Sequence, residues 1–125
     1  MARSRLSLLA EADLAHILVT SAERWGAEGR RRYAGLLAAA IRQVAGDPHG
    51  PATRARTDVL PGVRSFHVRH VRDSPVTKVR RPVHVLYYRT AAPDLVEIVR
   101  VLHERMEPSW RVEAGSRSSR RKGRL

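Results

Sequence analysis

The sequence predicts an α+β domain in which a helical hairpin packs on one face of an antiparallel sheet, with elements in the order β-α-α-β-β-β. Three observations predict it. Two stretches with apolar residues at helical spacing follow each other in the first half of the chain, and two runs of β-branched, aliphatic and aromatic residues flank a turn at Pro93 and Asp94. The second run, residues 95–102, is apolar on both parities, with Val96, Ile98 and Leu102 predicted on one face and Leu95, Val99 and Val101 on the other. Because a strand with two apolar faces must be covered on both sides, we expect this run to form the centre of the core.

The N-terminal part predicts one short strand and two helices. The strand is predicted from Leu6, Leu8 and Leu9. The first helix is expected over about residues 11–25, where Gly26 can end it, and the second over about residues 28–45, before the stop signal at residues 46–48. Because only a few residues join the two helices, they are expected to pack as an antiparallel pair.

The remaining chain predicts loops, strands and a tail. Glycine and proline mark residues 46–61 as a loop, and a strand is expected over residues 62–71. A polar connection over residues 72–81 then leads to the two strands at the sheet centre. We expect one domain over residues 1–112. The basic tail, residues 113–125, ends in serine, arginine, lysine and glycine without apolar periodicity, which predicts disorder.

The charge of the 125-residue chain is strongly basic, with 24 basic and 12 acidic residues and a formal net charge of +12. The excess has two locations: seven basic residues against one acidic in residues 62–89, and six against one in residues 111–125. Such an excess is typical of proteins that bind nucleic acid, an acidic protein or anionic lipid. A solvated face of an arginine-rich chain and a solubilising tail are the alternatives.

Several classes of protein are disfavoured by the composition. The absence of cysteine excludes a disulfide framework and a cysteine-based zinc site. The apolar run at residues 6–10 is too short for a signal peptide or a membrane span, so we expect a cytoplasmic protein without membrane contact. The six histidines show no His-Glu-x-x-His spacing, and we predict neither a metal site nor a cofactor.

Short motifs follow one another in order along most of the chain. They are Asp13-Leu14-x-x-Ile17, Trp25-Gly26, Tyr33-x-x-Leu36, Gly50, Gly62-x-Arg64, His84-x-Leu86-x-Tyr88-Arg89 and Glu97-Ile98-x-Arg100-Val101-Leu102-His103-x-x-Met106. Each motif alone is weak, but their order and spacing together are specific. Over about residues 5–112 the chain resembles ParE toxins of the RelE/ParE superfamily.

The resemblance implies a small bacterial toxin of a type II toxin–antitoxin module, with the layered fold described above. Toxins of this family typically bind DNA gyrase and block its cycle, so we expect no catalytic residues. They are neutralised by a ParD-like antitoxin. Because the N-terminal half of that antitoxin is a ribbon-helix-helix dimer that binds operator DNA, the toxin is expected to meet operator DNA only through the antitoxin.

RelE relatives with the same fold cut mRNA on the ribosome, and this activity is the alternative function. Groups suited to acid–base chemistry are present at His67, His70, His84, His103, Tyr87 and Tyr88. Nucleases of this type resemble one another in a basic cluster, often paired lysines, near the second strand. This chain has Arg54, Arg56 and Arg64 there and no lysine, which favours the ParE function. A plain nucleic-acid-binding protein is a third possibility.

Two sets of residues are candidate binding sites. The target-binding set lies on or near the predicted strands and comprises Arg64, Arg69, Arg81, His84, Tyr88, Arg89, Arg100 and His103. The antitoxin-binding set lies on the predicted helices and comprises Ala22, Trp25, Leu37, Ala40 and Ile41. The alternative for the helix residues is the inner core, and for His84 and His103 a structural role. For Arg100 we expect either a buried ion pair with Glu97 or Glu104, or a place on an open face.

Overall fold

The computed structural model describes residues 2–72, 79 and 81–119. One sheet has the strand order β1-β5-β4-β3-β2, in which β1 is parallel to β5 and the other pairs are antiparallel. The strands are β1 (Arg3–Leu6), β2 (Arg54–Ala55), β3 (Arg64–His67), β4 (His84–Ala92) and β5 (Leu95–His103). The predicted α+β class and the β4–β5 hairpin are confirmed. Within the described ranges, no helix is both long and apolar enough to cross a membrane.

The long helix α1 (Leu8–Gly46) consists of two helices joined at Gly26, which has φ 74° and ψ −174°. Glycine takes positive φ at little cost because it has no Cβ. Residues 8–25 contact β5 and advance along it in its chain direction. In the second half Tyr33 contacts His84 at the start of β4, and Pro48, just after the end of the helix, contacts Tyr88 further along the same strand, so this half advances along β4 in its chain direction. The two halves therefore run in opposite directions, and the predicted helical hairpin is confirmed.

The start of α1 differs from the prediction. Leu8 and Leu9, which were expected in the first strand, belong to the helix. The Ser7 hydroxyl caps the helix by accepting the Ala10 N–H at 3.0 Å, and it donates to the Val99 carbonyl at 2.7 Å. Because Ser7 forms hydrogen bonds with both the Ala10 N–H and the Val99 carbonyl, the chain can pass directly from β1 into α1.

The strand β5 lies between β1 and β4 and is buried on both faces, as predicted. The predicted alternation along it is wrong in its second half. Tyr87 pairs with Arg100 and Tyr88 with Ile98, so Val99 is an extra residue that forms a β-bulge. The bulge reverses the alternation, and Val101 rather than Leu102 shares the face of Ile98.

The two faces of the sheet have separate apolar clusters. The first lies against α1 and includes residues of α1, β3, β4 and β5. The second lies under helix α2 (Ser109–Arg117) and a loop at residues 56–63. Its buried members are Val63, Tyr87, Val99, Leu102 and Val112. Protein therefore covers β5 on both sides, which is the arrangement its sequence demands.

The helix α2 extends across the position that was predicted as the boundary between domain and tail. It runs through residues 112 and 113, and both Val112 and Gly115 are buried. A Cβ added at Gly115 would lie 2.4 Å from the Val99 carbonyl oxygen, so the helix approaches β5 closely because this residue has no side chain. Residues 120–125 of the predicted tail lie outside the described residues.

The middle of the chain also differs in detail from the prediction. The loop expected over residues 46–61 contains β2, which pairs with β3. The strand expected over residues 62–71 is shorter, because β3 is followed by a 3-10 helix at Val68–His70. Of the predicted connection over residues 72–81, only residues 72, 79 and 81 are described.

Candidate functional site

Arg100 is buried and paired, but with neither of the predicted partners. Its Nε and Nη2 donate to the two carboxylate oxygens of Asp13 at 2.7 and 2.8 Å, and its Nη1 donates to the Arg111 carbonyl at 2.9 Å. Asp13 Oδ2 also accepts the Val101 N–H at 2.9 Å. The side chains of Arg100 and Asp13 are 13% and 14% exposed. This ion pair joins α1, β5 and α2, so Arg100 has a structural role.

Arg89 takes part in a second ion pair with Glu97, a residue that the sequence analysis considered only as a partner of Arg100. The Glu97 side chain is completely buried and binds Arg89 at 2.9 Å and Arg5 at 3.3 Å. Arg89 Nη2 also donates to Ser119 Oγ at 2.9 Å and to the Ser116 carbonyl at 3.3 Å. Arg89 therefore holds the C-terminal end of α2 against the sheet.

Tyr88 and Arg64 hold the loop that follows α1. The Tyr88 hydroxyl donates to the Pro48 carbonyl at 2.5 Å, and Arg64 Nε donates to the same oxygen at 3.1 Å. Arg64 Nη2 also donates to Thr53 Oγ1 at 2.8 Å. Tyr88 is fully buried, and this burial raises the pKa of its hydroxyl. The side chain of Tyr88 is therefore not available at the surface.

His84, at the start of β4, is hydrogen-bonded to Tyr33 in the second half of α1. Tyr33 Oη forms a hydrogen bond of 2.6 Å with His84 Nδ1, and the same oxygen accepts the Val83 N–H at 3.3 Å. Burial lowers the pKa of His84 to about 4, and burial raises the pKa of Tyr33. His84 is therefore neutral at pH 7. Its ring centroid lies 5.8 Å from that of His103.

Next to His103 the surface has a concave region of about 620 Å³, which we name the basic depression. It is lined by Arg69, Arg81, Pro82, Val83, His103, Glu104 and Arg105. These residues come from the 3-10 helix, the approach to β4 and the end of β5. The fold thus gathers cations from three separate segments of the chain.

The charges of the basic depression are unbalanced. In the described part of the chain, the guanidinium groups of Arg69, Arg81 and Arg105 have no hydrogen bond or ion pair. Glu104 is the one carboxylate in the lining, and its Oε1 accepts His67 Nε2–H at 2.7 Å. That hydrogen bond lowers the pKa of Glu104. The depression therefore has three cations without a hydrogen bond or ion pair to the described residues, and one carboxylate that already has a partner.

The histidines near the depression do not form a metal site. His67 and His70 have His-x-x-His spacing, but His67 uses Nε2 for Glu104 and accepts the Arg69 N–H through Nδ1 at 3.1 Å. Burial lowers the pKa of His70, with a further contribution from the charge of Arg69. Among the described residues, no three His, Asp or Glu side chains are close enough to hold a metal ion.

The outer face of the first half of α1 carries apolar residues that the core does not use. They are Leu8, Ala12, Ala15, Val19 and Ala22, spaced alternately by four and three residues, and we name them the α1 stripe. Leu8 is 50% exposed and Val19 is 55% exposed. This spacing is typical of a helix that packs against a second helix. The spacing of these residues is visible in the sequence. The helix was predicted instead from the inner stripe through Leu14 and Ile17, and the outer stripe was not recognised.

The antitoxin-binding set divides between surface and core. Leu37 and Ala40 are buried in the cluster between α1 and the sheet, and Ile41 packs against that cluster. For these residues the inner-core alternative is the right one. Trp25 is 60% exposed at the turn of the helical hairpin, and Ala22 lies in the α1 stripe.

Comparisons with known proteins agree with this architecture. The family model described as "ParE toxin of type II toxin-antitoxin system, parDE" matches residues 5–108. The chain belongs to the ParE toxin family. It is 31% identical over 105 residues to Toxin ParE1 of Mycobacterium tuberculosis, in strains CDC 1551 and H37Rv, covering 84% of this chain and 92% of each relative. Membership of a type II toxin–antitoxin family implies an antitoxin partner.

In this ParE toxin the residues of the target-binding set have two different places. Arg69, Arg81 and His103 line the basic depression, and His84 lies against His103. Arg64, Tyr88, Arg89 and Arg100 hold loops, strands and α2 together. Arg105 lines the depression as well and was missed by the sequence analysis, although it follows His103 closely in a motif that had been singled out.

Proposed function

We propose that this ParE-family toxin inhibits DNA gyrase in the cytoplasm by binding to it, without catalysing a reaction, and that a ParD-like antitoxin neutralises it. The observation that supports the proposal most strongly is the basic depression. Its arginines form an exposed positive surface at the end of the sheet, which suits a complex that contains DNA. Family membership supports the toxin role, and the positive surface supports a target of opposite charge.

The bonding of the acid–base candidates favours binding over catalysis. Tyr88 is buried against Pro48, and His84 is hydrogen-bonded to Tyr33 and has a pKa of about 4. A general base must reach the proton that it abstracts, and the Tyr88 hydroxyl is directed into the fold. His84 is partly exposed, but its Nδ1 is occupied by Tyr33.

The α1 stripe is the proposed contact for the antitoxin. An amphipathic helix can lay its apolar face along residues that repeat every three to four positions, and the alanines of the stripe allow close approach. Ala22 belongs to the stripe, and the exposed Trp25 continues it at the turn. In this proposal the antitoxin contacts α1, whose residues do not line the basic depression.

A supercoiling assay with purified gyrase tests the target. We expect wild-type toxin to inhibit supercoiling, and the double variant R81A/R105A to need at least about tenfold more protein for the same inhibition, because it loses two exposed cations of the depression. R30A is the control, since Arg30 is exposed on α1 outside the depression. Full gyrase activity at a large excess of wild-type toxin would contradict the proposal.

A RelE-type mRNA endonuclease is the second candidate, and one contact favours it. The His67–Glu104 hydrogen bond lies at the basic depression, beside Arg69, and a histidine, a carboxylate and a cation are the groups that RNA cleavage needs. Transcript cleavage on induction of the toxin, lost in H67A but kept in the exposed-site control H16A, would support this function over gyrase binding.

A further inference from the structure

The lining of the basic depression contains apolar residues as well as cations. Pro82 and Val83 line it together with the three arginines and His103. His103 accepts the Arg105 N–H through Nδ1 at 3.1 Å, so its Nε2 is the nitrogen left to donate in the neutral ring. The depression thus offers several N–H donors around a small apolar area and has a volume within the range of ligand sites.

Phosphate oxygens are the partner that fits these donors best. A guanidinium group donates two parallel hydrogen bonds to a phosphate, and its charge persists at every physiological pH. The apolar area beside the donors can contact a deoxyribose. A free inorganic phosphate has no sugar and would leave this area uncovered. Several donors beside an apolar area suit a nucleic acid backbone, which presents phosphates joined by sugars.

An acidic protein segment fits less well. A peptide that docks by charge alone binds weakly, and tight peptide sites add apolar anchors at regular spacing. Among the described residues lining the depression, only Pro82 and Val83 are apolar, whereas α1 offers the five-residue α1 stripe. The apolar contacts that an antitoxin helix needs are on α1, which leaves the depression for a different partner.

We propose that the basic depression binds backbone phosphates of double-stranded DNA, through Arg69, Arg81, His103 and Arg105. This deepens the gyrase proposal and rests on it, because the DNA segment held by gyrase is then the DNA that the toxin meets. Phosphate contacts fix position without reading sequence, so the toxin needs no preferred DNA sequence at this site.

The test measures binding of a short fluorescent DNA duplex of arbitrary sequence by anisotropy over a series of salt concentrations. Each phosphate contact contributes about 0.9 to the slope of log affinity against log salt. We expect R69A, R81A and R105A each to lower that slope by about 0.9, so that the affinity lost between about 50 and about 200 mM salt is about threefold smaller than for wild type. R30A, which removes an exposed arginine of α1, should keep the wild-type slope.

The three variants lie on separate segments of the chain. The test can therefore still be decided if one of them does not fold. Equal slopes in wild type, the three variants and R30A would overturn the proposal. So would an equal loss of affinity for poly-glutamate in the three variants, since the depression would then accept any anionic chain.

A parallel supercoiling assay on the same wild-type sample separates the two proposals. Inhibition of gyrase with unchanged salt slopes removes the DNA-contact proposal alone. Reduced slopes in the three variants without inhibition of gyrase by wild type remove the gyrase proposal and leave DNA binding at the depression.

Discussion

At the scale of single residues, the protonation of His84 makes the stability of the fold depend on pH. Its pKa is about 4 in the folded protein, because of burial and the charge of His103, against 6.5 for an unperturbed histidine. Between these two values the unfolded chain binds more protons than the folded protein, so stability rises with pH. The contribution of His84 is therefore complete above about pH 6.5 and is lost as pH falls towards about 4.

We predict that this loss is about 2 kcal/mol. The pKa difference corresponds to about 3 kcal/mol for a fully buried ring, and the partial solvent exposure of His84 reduces that figure. Urea unfolding of wild type and H84N at pH 7.5 and pH 4.5 measures it, with H16N at an exposed histidine as control. The same pH dependence in wild type and H84N would contradict the assignment.

Asp13 accepts hydrogen bonds from Arg100 and from the Val101 N–H, so its removal tests how much this buried ion pair contributes to stability. We expect D13A to lower the free energy of unfolding by about 3–5 kcal/mol, because Arg100 and the Val101 N–H would both lose their acceptor in a largely buried position. E113A, which breaks an exposed pair with Arg117, should change it by less than about 0.5 kcal/mol. Chemical denaturation compares the two, and equal effects would show that the Asp13 pair is no more important than a surface pair.

At the scale of elements, the sequence was most informative where local signals coincide with tertiary packing. The β4–β5 hairpin has strand-forming runs on both sides of Pro93 and Asp94, and the helical hairpin has its break at a glycine and its end at residues 46–48. The functional cations were only partly predictable. Arg69, Arg81 and His103 could be named from charge and motif, but their meeting in one depression depends on the tertiary fold.

The elements that were missed depend on contacts between distant residues. Asp13 and Arg100 are 87 positions apart, and nothing in their spacing announces an ion pair. The β-bulge at Val99 reverses a parity that looks regular in the sequence. The helix α2 has no side-chain cap at its start and contains a glycine, so its local preference for helix is weak and its packing on β5 supplies the stability.

The packing of α2 gives a prediction at this scale. G115A should lower the free energy of unfolding by about 2 kcal/mol, because the new methyl group would meet the Val99 carbonyl oxygen at 2.4 Å and Arg100 Cδ at 2.6 Å. G46A is the matched control, since a Cβ there has nothing within 4 Å. Thermal and urea unfolding measure both variants. Wild-type stability of G115A would mean that α2 is not held closely on β5.

At the scale of the whole molecule, the two proposed contact surfaces are built from different parts of the fold. The basic depression uses the 3-10 helix, the approach to β4 and the end of β5, whereas the α1 stripe uses only the first half of α1. Because no residue belongs to both, a substitution in one surface should leave the other intact.

This separation predicts a toxin that escapes its antitoxin. We expect V19E to weaken binding of the cognate antitoxin by at least about tenfold, because it places a charge in the centre of an apolar contact, and to leave gyrase inhibition unchanged. A38E adds the same charge at an exposed alanine on the second half of α1 and should keep wild-type antitoxin binding. Pull-down of the antitoxin and growth of cells that express both proteins measure the two properties. If V19E and A38E bind the antitoxin equally well, the antitoxin does not dock on the α1 stripe; if V19E loses gyrase inhibition as well, the two surfaces are not independent.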